Sequence, residues 1–87
     1  LAPNLKQALE GKRGKDYKTL LQEFVQRDGD KHIVYNLISE SGPDHAKTFM
    51  MEVSIDGITY EAGTGKSKKI AEQHAAQLTL ERLMAAI

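Results

Sequence analysis

Apolar residues recur along this chain first at a helical interval, then in alternation, then at a helical interval again. From Asp16 onward, Tyr17, Leu20, Leu21, Phe24 and Val25 fall at i, i+3, i+4, i+7 and i+8, one stripe of an amphipathic helix. Asp16 is placed to cap that helix, and Asp28-Gly29-Asp30 to break it near Arg27. Two strands are predicted next, 32–40 and 47–55, on either side of the turn-rich stretch 41–46. In the second, Phe49, Met51, Val53 and Ile55 share one face and Thr48, Met50, Glu52 and Ser54 the other, which suits a sheet buried on one side. Asp56-Gly57 is a strong hairpin signal leading into a third strand over 58–62. A long helix then starts with Ser67 as N-cap and runs to the end, its core stripe made of Ala71, Ala75, Ala76, Thr79, Leu80 and Leu83.

Two apolar helical stripes and one apolar sheet face bury one another at once in a two-layer α+β sandwich. The expected fold is α-β-β-β-α, a three-stranded antiparallel sheet with both helices on one face. Upstream, apolar residues at 2, 5, 8 and 9 followed by the glycine-punctuated stretch 10–15 read as the end of a preceding helix and a linker. That leaves 16–87 as the domain, one domain being the expectation at 87 residues. A start at Leu1 rather than methionine is expected of a piece of a longer protein.

With 40% hydrophobic and 28% charged residues, the composition is that of an ordinary globular chain. The absence of cysteine excludes disulfides, thiolate metal sites and a thiol nucleophile, and fits a cytoplasmic location. No apolar run is long enough for a membrane span or a secretory signal, so no membrane partner is expected. The net charge of zero hides an uneven distribution. Residues 1–18 hold five bases against two acids, 66–77 three bases against one acid, and 19–65 three bases against eight acids. A polyanion responds to such local fields more than to the total.

The stretch Gly63-Thr-Gly-Lys-Ser-Lys-Lys69 is the most informative. Glycines that permit close backbone approach, a helix amino terminus and flanking lysines make an anion cradle. Taken alone, the same residues also fit a glycine turn into a helix with solvated lysines. A nucleotide-binding P-loop would need glycine where Tyr60 stands, and alternating strands and helices besides. In the turn 42–47, Pro43 sets the backbone and His45 and Lys47 supply polar tips. The acids lie singly on different elements, so no metal pair, catalytic residue or small-molecule ligand is expected.

The order of elements, with Gly42-Pro-Asp-His-Ala-Lys47 and Gly65-Lys-Ser-Lys-Lys-Ile-Ala-Glu-Gln-His-Ala-Ala76, resembles the double-stranded-RNA-binding domain family over 16–84. The upstream segment through Glu23 is similar to the junction before the carboxy-terminal domain of bacterial ribonuclease III. Such domains bridge two successive minor grooves and the phosphates between, about 16 base pairs in all. The resemblance implies that Thr19, Gln22 and Glu23 meet one minor groove, Pro43 and His45 the second, and Lys66, Ser67, Lys68 and Lys69 the phosphates. The family often carries a third lysine where this chain has Glu72, a departure expected to trim affinity and shared by ribonuclease III members.

The resemblance further implies double-stranded RNA as partner, no cofactor for this chain, and a role in RNA processing, including that of ribosomal RNA. The parent would be a homodimeric, magnesium-dependent endonuclease whose nuclease domain is absent here, so this chain should bind without cutting. The alternative is a protein-association module, with Ile38, Met50, Leu78 or Ile87 as exposed apolar contacts.

Overall fold

The computed structural model describes residues 16–27 and 29–86, so the expectations for 1–15 and for Ile87 lie outside the described residues. The element order is α1 (Tyr17–Gln26), β1 (Ile33–Ser41), a single 3-10 turn (Asp44–Ala46), β2 (Thr48–Ile55), β3 (Ile58–Gly65) and α2 (Lys68–Ala85). The strands form one antiparallel sheet in the order β1-β2-β3. Both helices lie on its apolar face, the α+β arrangement expected from the alternation in β2.

Each predicted stripe faces the core. Leu21 and Val25 of α1, Met51, Val53 and Ile55 of β2, and Ala71, Ala75, Ala76 and Leu80 of α2 are buried. Tyr17, Leu20, Phe24, Ile33, Tyr35, Tyr60 and Leu83 pack around them. Asp56 (φ 52°) and Gly57 (φ 84°) both take positive φ, so β2 and β3 are joined by the tight mirror-image turn that Asp-Gly favours. His32 secures that corner by exchanging contacts with Asp56, its N–H donating to Oδ1 at 2.9 Å and its carbonyl accepting the Asp56 N–H at 2.9 Å.

The third strand is longer than its predicted 58–62, because the glycine run stays paired. Gly63 faces Met51 and Gly65 faces Phe49 across the ladder. A Cβ added at Gly65 would come 2.7 Å from the Ala71 amide nitrogen, and one at Gly63 closer still to that of Ala75. These glycines therefore let the backbone of α2 at Ala71 and Ala75 lie close on β3. Two irregularities complete the sheet: Ile38 is an extra residue in β1 between Leu37 and Ser39, and Tyr60 and Glu61 in β3 both stand opposite Val53. The second frees the Glu61 N–H, which donates to the buried Thr79 hydroxyl at 3.2 Å. A threonine in an otherwise apolar stripe is thus satisfied by the bulge it faces.

Candidate nucleic-acid interface

The β3–α2 junction is built by Ser67, whose hydroxyl oxygen accepts the Ile70 N–H at 3.1 Å and starts the helix. Lys66, Lys68 and Lys69 are exposed around it. No described acid pairs with any of these three, whereas Lys18, Lys47 and Arg82 each hold a carboxylate within 3.1 Å. Three free ammonium groups beside the unbonded N–H groups of a helix start favour an anion. The cradle differs from the sequence reading in one respect: Gly63 and Gly65 give their close approach to α2, so its anion-facing parts are the lysines, Ser67 and the helix terminus.

Turn 42–47 is held open by Gly42 (φ 94°), whose missing Cβ leaves room for the Ala46 carbonyl, and by the Ala46 N–H donating to the Pro43 carbonyl at 2.9 Å. Pro43 and His45 are exposed on it. Lys47, read from the sequence as a polar tip, is instead partly buried and bound to Glu40 at 3.0 Å. Ladder register gathers these segments, since Ser41 pairs with Thr48 at the base of the turn and Phe49 pairs with Gly65 just before Lys66. The turn and the lysine cluster accordingly share one end of the sheet.

On α1, Thr19, Gln22 and Glu23 are exposed. The start of this helix is tied to the early turns of α2 by three contacts. Lys18 Nζ donates to Glu72 Oε1 at 2.6 Å, the Tyr17 N–H donates to Gln73 Oε1 at 2.7 Å, and Gln73 Nε2 donates to Asp16 Oδ1 at 2.9 Å. Glu72, standing where the family often has lysine, is therefore an interhelical partner, and its cation also lies 4.8 Å from the centre of the Tyr35 ring. Thr19 is thus brought toward the lysine cluster. Glu23 sits farther along, lining a shallow apolar groove with Leu20, Phe24, Arg27, Leu80 and Met84.

Gln73 escaped the sequence reading, although it is in phase with Ala76 and Leu80 on the core stripe, where a polar residue calls for a partner. The apolar residues considered for protein association fare differently. Ile38 is exposed, but Met50 and Leu78 are half-buried and so offer less surface than expected. Among the described residues no three potential ligands gather to hold a metal, and no helix is long and apolar enough to cross a membrane.

A family model described as "Double-stranded RNA binding motif" matches residues 17–83. The chain is 54% identical over 67 residues to Ribonuclease 3 of Streptococcus gordonii, covering 77% of this chain and 29% of that protein. It is 56% identical over 68 residues to Ribonuclease 3 of Streptococcus thermophilus, covering 78% and 30%. It therefore spans less than a third of the curated relatives it matches. Among solved structures, the solution structure of both dsRBDs of DRB4 along with their linker matches with a TM-score of 0.54 and 33% identity, over 79% of this chain and 44% of that one.

Proposed function

Since this chain belongs to the double-stranded RNA binding motif family, we propose that it binds duplex RNA by shape, as the substrate-holding part of a ribonuclease III. The observation that carries the reading is the unpaired cluster Lys66, Lys68 and Lys69 at the start of α2, at the sheet end that also bears Pro43 and His45. In this reading Thr19, Gln22 and Glu23 enter one minor groove, Pro43 and His45 the next, and the lysines with Ser67 hold the intervening phosphates. Residues 16–87 form the binding domain, and 1–15 link it to the nuclease. The parent enzyme is cytoplasmic, homodimeric and magnesium-dependent and acts in RNA processing, including that of ribosomal RNA; the isolated chain needs no cofactor and does not cleave.

The test is a gel shift of the chain with duplex RNA and duplex DNA of equal length. Tighter RNA binding with slight sequence preference is expected, and equal competition by DNA overturns the reading. Incubation of the same duplex RNA with the chain and magnesium should leave it intact.

A further inference from the structure

The start of α1 contains a hydrogen-bond arrangement with a definite polarity. The Thr19 hydroxyl donates to Asp16 Oδ2 at 2.7 Å, while the other carboxylate oxygen, Oδ1, accepts both the Thr19 N–H at 3.2 Å and Gln73 Nε2 at 2.9 Å. A carboxylate has no proton to give, so the hydroxyl hydrogen of Thr19 is committed inward and only oxygen lone pairs face solvent. Gln73 completes the arrangement from the other helix. Its amide has one satisfactory orientation, with Oε1 toward the Tyr17 N–H and Nε2 toward the carboxylate. The same contacts hold the Asp16 carboxyl down to about 2, well below the carboxylate range, so it stays an acceptor throughout the neutral region.

We propose that Asp16 and Gln73 are positioning residues that fix the exposed Thr19 hydroxyl as a hydrogen-bond acceptor, so that α1 selects duplexes whose minor groove offers a hydroxyl donor, the ribose 2′-OH. This rests on the duplex-RNA reading above and adds to it a cause for discrimination against sugars without a donor. A freely rotating threonine would serve either polarity. Thr19 serves one.

The experiment titrates the chain and three variants with two A-form duplexes of one sequence, one bearing 2′-hydroxyls and one bearing 2′-fluoro groups, which accept weakly and cannot donate. The quantity read is the ratio of the two affinities, which a merely structural change would leave alone. Thr19→Val is expected to lower that ratio roughly three- to tenfold, the worth of one hydrogen bond. Asp16→Asn tests the polarity itself. Its amide oxygen is drawn to the side where two donors converge, which turns the NH2 toward Thr19 Oγ1 and releases the hydroxyl hydrogen outward. Asparagine caps a helix as well as aspartate, so the variant should melt close to the parent, while its ratio falls by less than that of Thr19→Val, because the released hydroxyl keeps a lone pair for the 2′-OH and gains a hydrogen to offer the 2′-fluoro group. Gln73→Met, which leaves the carboxylate unanchored, should move the ratio in the same direction by less. Unchanged ratios in Thr19→Val and Asp16→Asn overturn the inference while the duplex-RNA reading stands; failure of the parent chain to prefer duplex RNA over duplex DNA overturns that reading itself.

Discussion

Gly63 occupies a position where one methyl group decides how near a helix can lie. Gly63→Ala would drive a Cβ into the backbone of α2 at His74 and Ala75, and neither partner has a flexible end to yield. A loss on the order of 1–3 kcal/mol is expected in urea unfolding. Ala75→Leu should cost about as much from the opposite side of the contact, because Ala75 is fully buried. The sequence could not assign these glycines: a glycine that admits a phosphate and one that admits a helix look alike until the partner is known. Tyr35 is a different case. Burial first, then the nearby Glu72 and Asp16 charges, push its hydroxyl up to about 12 from 10.0, and among the described residues that buried oxygen meets no partner. The neutral form is favoured in the folded chain, so its contribution is full below about pH 10 and fades as pH rises toward 12. Tyr35→Phe should therefore leave neutral stability within about 1 kcal/mol and blunt the alkaline loss, as read by thermal melting across that range.

Helix α2 divides its labour by face, and the division can be tested by substitution. Lys68 and Lys69 are exposed in its first turn, and Ala71, Ala75 and Ala76 are buried below them. Replacing both lysines by glutamate should abolish duplex-RNA binding at moderate salt while the melting temperature holds or rises slightly, because acids suit a helix amino terminus. A binding-competent double variant, or one that melts as low as Ala75→Leu, would break the assignment. The 3.6-residue period made this division legible, as it did the stripe of α1. Interhelical contacts were not legible: Lys18 with Glu72 and Asp16 with Gln73 lie more than fifty residues apart, and a period within one helix says nothing about its neighbour.

For the molecule as a whole, net neutrality and phosphate binding are reconciled by pairing. Among the described residues, Lys18, Lys47 and Arg82 are held by acids, while Lys66, Lys68 and Lys69 stand together without an acid partner at the start of α2. Affinity should fall with salt at a log-log slope of about −2 to −4, matching roughly three to five phosphates, and a flat response would deny the electrostatic footing. Stability should carry an acid limb from Asp16: with its carboxyl lowered from 3.8 to about 2, its contribution is present above the higher value and is lost as pH falls toward the lower. Asp16→Asn should remove that limb from an acid unfolding curve. The side chains of α2 that reach β3 bear on how copies of this chain meet. His74 Nδ1 stands 3.2 Å from both the N–H and the carbonyl of Thr64, and Thr79 takes the N–H of Glu61, so the rim of the sheet at β3 is already occupied at two points. Strand-to-strand stacking needs two open rims to propagate, and among the described residues only the outer edge of β1 offers one. Crowded samples should accordingly stop at pairs, and no filament should grow from the native fold.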